Sequence, residues 1–132
     1  MGNQEATVEV TVENFSSIVR KEGIVLLDWW ASWCGPCRAF GPVYAKVAGR
    51  HPDIVFGKVD TEAEPALAGG FSIRSIPTLM MFRDGVLLFS QPGMLPERTL
   101  EDLIARVRVL DMADVQRKIQ SAKAAIQPQS GP

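Results

Sequence analysis

The stretch from Ile24 to Trp30 constrains the fold most, because it is apolar at nearly every position. A continuous run of this length is typical of a strand covered on both faces, at the centre of a sheet flanked by helices. Cys34-Gly35-Pro36-Cys37 follows after three intervening residues and opens a segment whose apolar residues recur at helical spacing. The sequence therefore predicts a central strand that passes into an amphipathic helix with two cysteines at its N-terminus.

Strand and helix patterns alternate along the rest of the chain, and Asp84-Gly85 is a hairpin signal near its end. The predicted order is βαβαβαββα, an α/β fold with a central mixed sheet flanked by helices. Strands are expected around Val8, Val10 and Val12, and at Ile24–Trp30, Ile54–Asp60, Thr78–Phe82 and Val86–Phe89. Helices are expected between the N-cap Asn14 and Gly23, from Cys34 to Gly49, from Pro65 to Leu67 with Gly69-Gly70 as the stop, and from Pro96 to Arg108.

The last of these helices closes the predicted domain, which we place at residues 1-110, with residues 111-132 as a helical extension. In the extension, apolar residues with 3-4-3-4 spacing form a stripe over only two heptads, whereas a coiled coil needs three or four. An additional helix, capped by Asp111 or Asp114, is favoured over a zipper, and Gln127 to Pro132 are expected to be disordered. The stripe comprises Met112, Val115, Ile119, Ala122 and Ile126.

Composition narrows the class of protein. The chain has 132 residues, a 46% hydrophobic content and a net charge of -1, which together predict one globular domain. The neutral balance argues against a nucleic-acid partner, and no apolar run approaches the roughly 18 residues of a membrane span. Met1 to Val12 lacks the pattern of a signal peptide. We therefore expect a soluble, cytoplasmic protein without a membrane partner.

The two cysteines are the strongest functional signal. A helix N-terminus offers unpaired N–H groups and a partial positive charge, so it stabilises a thiolate at Cys34. Cys37 lies one turn along and can form a disulfide with it. We expect Cys34 to attack and Cys37 to resolve the resulting mixed disulfide.

Other uses of the pair are weaker. An intrachain zinc site would need four ligands, and only His51 is available besides the cysteines, so a site shared between chains is the remaining metal option. Attachment of haem needs His where Arg38 stands. A structural disulfide is unexpected in a chain without an export signal, and two inert thiols remain an alternative. The pattern favours redox chemistry and no metal.

The segment Asp28-Trp29-Trp30-Ala31-Ser32-Trp33-Cys34-Gly35-Pro36-Cys37 resembles the active-site segment of thioredoxins. Lys58-Val59-Asp60, Ile73-Arg74-Ser75-Ile76-Pro77-Thr78 and Phe82-Arg83-Asp84-Gly85 continue the resemblance, which covers about residues 7 to 110. It implies the thioredoxin fold and a protein-disulfide reductase whose redox-active disulfide is Cys34–Cys37. Electrons would come from a thioredoxin reductase, and no cofactor would be bound, because NADPH and flavin belong to that reductase.

The resemblance also implies roles for two charged residues. Asp28 matches the acid that assists deprotonation of the inner thiol, here Cys37, and Lys58 matches the lysine near that acid. Burial among apolar neighbours would raise the pKa of Asp28 into the range useful for proton transfer. The alternatives are a hydrogen-bonded core acid and an ordinary solvated lysine.

Six further residues match the surface that binds substrate in the family, where a cis proline packs against the disulfide. They are Trp33, Gly35, Pro36, Ile76, Pro77 and Gly93. The alternatives are a surface aromatic at Trp33, a trans proline opening a strand at Pro77 and a helix breaker at Gly93. Ser72 and Ser75 stand where thioredoxins often have glycine, and Arg38 replaces a frequent lysine.

Taken together, the sequence predicts a monomeric thioredoxin that reduces disulfide-containing protein substrates. A thiol oxidase or isomerase of the same fold is one rival; it would need an oxidising compartment and a more stabilised thiolate, and a measured reduction potential would distinguish it. The other is a non-enzymatic chaperone or assembly subunit that binds partners through the apolar surface and the C-terminal extension.

Overall fold

The computed structural model describes residues 6–126. Within that range the chain forms five strands and five helices, and their order confirms the predicted βαβαβαββα pattern followed by a C-terminal helix. The strands are β1 (Thr7–Glu9), β2 (Ile24–Trp30), β3 (Val55–Asp60), β4 (Thr78–Arg83) and β5 (Val86–Pro92). The helices are α1 (Phe15–Val19), α2 (Gly35–Ala48), α3 (Pro65–Gly70), α4 (Glu97–Arg108) and α5 (Met112–Ile126).

The strands form one mixed sheet in the order β1-β3-β2-β4-β5, with β2 at its centre. β1, β3 and β2 run parallel, and β4 and β5 are antiparallel to their neighbours. Because strand side chains alternate between faces, Leu26 and Phe56 pack with Tyr44 of α2, whereas Leu27 and Trp29 lie in the core on the opposite face. Helices therefore cover both faces of β2, as its apolar run predicts.

The hairpin between β4 and β5 forms where the sequence predicts it. Asp84 and Gly85 have φ values of 52° and 80°, as a tight turn that matches the twist of the strands requires. The Asp84 carboxylate also accepts a hydrogen bond from the amide of Gly23 at 2.7 Å. At the following helix, Pro96 is the N-cap, one residue before its predicted place.

Three local predictions differ from the structure. Val8 and Val12 are exposed and only Val10 is buried, because β1 is a three-residue edge strand. Asn14 is the N-cap residue of α1 as predicted, but its side chain makes no capping hydrogen bond; its Oδ1 accepts from the Thr11 amide instead. The third helix includes Gly69 and Gly70, since the left-handed residue that ends it is Ser72, with a φ of 54°.

The C-terminal helix α5 forms as predicted, and Asp111 rather than Asp114 caps it by accepting from the amide of Asp114 at 3.1 Å. Its stripe is covered only in its first half. Met112, Val115 and Ile119 are half-buried, whereas Ala122 and Ile126 are exposed. The expected disorder of Gln127 to Pro132 concerns positions outside the described residues.

Candidate active site

The strand β2 delivers Cys34 to the N-terminus of α2. Cys34 is the N-cap residue with an extended backbone, and its Sγ accepts a hydrogen bond from the amide of Cys37 at 3.2 Å. Pro36 lies in the first turn, where its missing N–H costs no helical hydrogen bond. The position that carries the partial positive charge of the helix is therefore occupied by sulfur.

Cys34 and Cys37 form a disulfide with their Cα atoms 5.2 Å apart, inside the usual range for such bonds. Their exposed fractions are 5% and 4%, so exposure does not distinguish the attacking sulfur from the resolving one. The hydrogen bond from the Cys37 amide to Cys34 Sγ makes the distinction, because this donor would directly stabilise a thiolate at Cys34.

The loop before β4 approaches the same sulfur. The Ile76–Pro77 peptide bond is cis, as the resemblance implies, and the Ile76 carbonyl oxygen lies 3.6 Å from Cys34 Sγ. The Gly93 amide donates a hydrogen bond to the Pro77 carbonyl oxygen at 2.7 Å, and its φ of +100° favours glycine. Residues more than 40 positions apart thus meet beside Cys34.

The surface around the disulfide is largely apolar. Trp33 is 65% exposed, Gly35, Pro36 and Gly93 are exposed, and Ile76 is half-buried against the cysteine pair. Pro77 itself is buried, so it supports this surface rather than adding area to it. Met94 adds an exposed apolar side chain beside Gly93, and its place after the Pro92-Gly93 break in the sequence could have indicated it.

Asp28 lies on the α2 face of β2 and is fully buried. Neither carboxylate oxygen has a hydrogen-bond partner among the described residues. Burial raises the pKa of Asp28 to about 7, although the positive charge of Lys58 lowers it. An acid of this kind can exchange a proton near neutral pH.

Lys58 stands directly opposite Asp28 in the β2–β3 register. Its Nζ lies 4.7 Å from the centre of the Trp30 ring, a cation–π contact that holds the ammonium on the α2 face. The sequence pattern does not single out Trp30 for this contact. Its position two residues after Asp28, on the same face of the strand, is the signal that could have done so.

Tyr44 is a second buried group, to which the sequence pattern assigns only a core role. Its hydroxyl donates to the Gly57 carbonyl oxygen at 2.8 Å. Burial raises the pKa of Tyr44, and the nearby charge of Asp28 raises it further. The phenol therefore stays neutral beside Asp28.

The described residues contain no group of three or more His, Cys, Asp or Glu side chains that could hold a metal ion. None of the helices between residues 6 and 126 is long and apolar enough to cross a membrane.

The family model for thioredoxin matches residues 6–106, which is most of the chain. The chain belongs to the thioredoxin family. A solved thioredoxin variant from Halobacterium salinarum superposes with a TM-score of 0.69 and 31% identity, covering 74% of this chain and 87% of that one. The sheet and helices of this chain are therefore a thioredoxin fold.

Curated thioredoxins show the same relationship. A putative thioredoxin 2 of Streptomyces coelicolor is 55% identical over 119 residues, covering 90% of this chain and 89% of the relative. An alignment of that length extends into α5. Thioredoxin 1 of Synechococcus elongatus is 42% identical over 97 residues, covering 72% of this chain and 91% of the relative.

These findings establish the chemistry of the protein. It is a thiol–disulfide oxidoreductase with a disulfide-reductase role, and its redox centre is the Cys34–Cys37 pair. As in other thioredoxins, the electrons are carried by the two sulfur atoms themselves.

Proposed function

We propose that the protein reduces disulfides of other proteins in the cytoplasm and is returned to its dithiol form by a thioredoxin reductase. The observation that carries the proposal is the hydrogen bond that the Cys37 amide donates to Cys34 Sγ at the N-terminus of α2. Cys37 itself lies one helical turn further along the chain. The arrangement stabilises a thiolate on Cys34, the sulfur that attacks the substrate in this proposal.

In the first step the Cys34 thiolate attacks one sulfur of the substrate disulfide. A Cys34–substrate bond forms, the substrate S–S bond breaks, and one substrate thiolate leaves. In the second step the Cys37 thiolate attacks Cys34 Sγ and releases the second substrate thiolate. Two electrons pass to the substrate, and the Cys34–Cys37 disulfide remains.

The Asp28 carboxylate takes the proton from Cys37 before the second step, which leaves a Cys37 thiolate and a neutral Asp28; Lys58 stabilises the ionised form of Asp28 that accepts the proton. A carboxyl group whose pKa is about 7 can accept this proton near neutral pH and return it later. This role rests on the complete burial of Asp28 and on its register with Lys58.

The apolar surface around Cys34 receives the substrate chain. The exposed side chain of Trp33 and the half-buried Ile76 flank the sulfur, and the exposed Gly93 is held beside Pro77 by its amide hydrogen bond. An apolar surface suits many unfolded or extended protein segments, because burial of apolar area needs no sequence-specific partner.

The test is reduction of insulin, driven by NADPH and a thioredoxin reductase. We expect turnover by the wild-type protein and none by the Cys34→Ser variant, whose fold should be unaffected. Met112→Ala, which changes a half-buried residue of α5, is the control and should keep full turnover. A wild-type protein that oxidises reduced insulin faster than it reduces the disulfide would contradict the proposal.

A further inference from the structure

A cavity of about 300 Å³ opens at the β1 edge of the sheet, on the side covered by α2. It is lined by Thr7, Val8, Glu9, Trp30, Lys58 and Asp60. Lys58 thus lies between this cavity and the buried Asp28, and solvent can reach the ammonium through the cavity.

Lys58 lies in register with two carboxylates at once. It is opposite Asp28 on β2 and opposite Glu9 on β1, and residues in register on parallel strands point to the same face. Asp28 is fully buried and Glu9 is exposed. One ammonium therefore faces a carboxylate on its buried side and another on its solvent side.

We propose that Glu9 is a positioning residue for the exchange reaction, whose carboxylate draws the Lys58 ammonium toward the cavity and away from Asp28. Adjacent strands are about 4.8 Å apart, so the side chains of Glu9 and Lys58 can meet within the cavity. The Trp30 ring, which also lines the cavity, binds the Lys58 ammonium by a cation–π contact. The catalytic consequence rests on the function proposed above for Asp28.

The other groups around Asp28 have partners of their own or carry no charge. From α2 the Tyr44 hydroxyl is held by the Gly57 carbonyl, and from β4 the residue opposite Asp28 is the apolar Leu79. From β3, Asp60 accepts from the amides of Glu62 and Ala63 through one carboxylate oxygen, Oδ1. Of the two carboxylates that line the cavity, Glu9 is the one in register with Lys58, whereas Asp60 is in register with Trp30.

The sign of the effect follows from charge. When Glu9 is replaced by the neutral Gln, Lys58 stays nearer to Asp28 and favours its ionised form. The substitution also removes a negative charge that disfavours ionisation of Asp28. Glu9→Gln should therefore lower the pH at which Asp28 ionises. For charges several ångströms apart near the surface, the expected shift is on the order of half a pH unit.

The experiment is a carbon-13 NMR titration of the Asp28 carboxyl in the oxidised full-length protein. We expect a lower midpoint in Glu9→Gln than in wild type and an unchanged midpoint in Glu13→Gln, which removes the same charge from an exposed turn outside the cavity. Equal midpoints in wild type and Glu9→Gln, or equal shifts in both variants, would overturn the proposal.

A double-mutant cycle separates positioning from a direct effect of charge. In a Lys58→Met background, Glu9→Gln should shift the Asp28 midpoint by less than half as much as in wild type. An undiminished shift means that Glu9 acts without Lys58, which would overturn the positioning role.

The pH dependence of the second exchange step provides the link to catalysis. We expect the rate profile of Glu9→Gln to move to lower pH by the same amount as the Asp28 midpoint. A shifted midpoint with an unmoved rate profile would overturn the role of Asp28 in the proposed function, and with it the part of Glu9 in the reaction. An unmoved midpoint would overturn the Glu9 proposal alone.

Discussion

At the scale of single residues, Cys34 and Cys37 differ in their contacts more than in their burial. Cys34 Sγ accepts an amide hydrogen bond and faces the Ile76 carbonyl, and Cys37 supplies that amide. Cys37→Ser should therefore accumulate mixed disulfides with substrate proteins, because the first step proceeds and the second cannot. Cys34→Ser should accumulate few. Trapped substrate can be counted on non-reducing gels.

The double variant Cys34→Ser, Cys37→Ser is the control and should trap nothing. Equal trapping by the two single variants would mean that both sulfurs attack substrate, and would contradict the assignment of Cys34 as the attacking residue.

Asp28 couples stability to pH. Its pKa is about 7 in the folded protein and near 4 when unfolded, so the folded state holds a proton that the unfolded state releases between these values. The free energy of unfolding therefore falls as pH rises from about 4 to 7. Asp28→Asn should remove this loss, and its gain over wild type at about pH 8 should be of the order of 2–4 kcal/mol. Urea melts at both ends of this range measure the difference.

The same variant tests proton transfer, because asparagine keeps the shape and cannot titrate. We expect the second exchange step to slow near neutral pH, whereas Asp102→Asn, on the exposed side of α4, should leave it unchanged. A second step that is equally fast in Asp28→Asn from about pH 6 to 9 would contradict the role of the acid.

Ser72 has a backbone conformation that favours glycine. Its φ of 54° lies in the left-handed region, which costs a residue with a Cβ about 1–2 kcal/mol. Ser72→Gly removes this cost and loses part of the gain to the greater freedom of the unfolded chain. We expect a gain of up to about 1 kcal/mol in the free energy of unfolding.

Ser75 is the matched control, because it stands in the same loop with a negative φ. Ser75→Gly should be neutral or destabilising in the same denaturant melts. A Ser72→Gly variant no more stable than Ser75→Gly would show that the loop relieves the strain in another way.

At the scale of elements, the end of α4 defines where the core closes. Arg83 Nη1 lies 2.7 Å from the carbonyl oxygen of Val107 and 3.0 Å from that of Leu110, so β4 fastens the chain just before α5 begins. The helix α5 contributes half-buried residues only in its first half. These contacts support the predicted domain boundary at Leu110, which the truncation below tests.

Truncation after Leu110 should leave insulin reduction within about twofold and cost no more than about 1–2 kcal/mol of stability. The carbonyl contacts of Arg83 are retained, and the area lost with α5 is partly exposed in the intact chain. Turnover, denaturant melts and size-exclusion chromatography of both forms measure the effect. Unfolding of the truncated protein would make α5 part of the core, and a full-length dimer that becomes monomeric would restore the zipper interpretation.

The elements whose details differ from the sequence prediction share a physical cause. Periodicity places an apolar residue on a face, but it does not say whether a neighbour covers that face. Val12 and Ile126 fit their patterns and are nevertheless exposed, since one follows a short edge strand and the other lies beyond the cover of the domain. Glycine is also the predicted stop of α3, although a serine adopts the left-handed conformation there.

At the scale of the whole molecule, local pattern predicts the element order and the cysteine site, because both depend on residues close in sequence. Contacts between distant residues need the family resemblance. The cis Pro77 beside Cys34 and the pairing of Lys58 with Asp28 are of this kind. Neither the local pattern nor the family resemblance predicts the role of Glu9. Its place opposite Lys58 depends on the parallel register of β1, and a three-residue strand is too short for the sequence to indicate that register.

The central place of β2 has a consequence for how the protein opens. Its residues pair with β3 along one edge and with β4 along the other, so its amides meet water only when the sheet comes apart. Deuterium should therefore enter Leu26 and Leu27 last, at a rate set by global unfolding, and enter α5 early through local fraying. Exchange at β2 as fast as at α5 would contradict this order. The sulfur pair thus follows the segment that we expect to exchange most slowly, and partial openings elsewhere should leave its alignment intact.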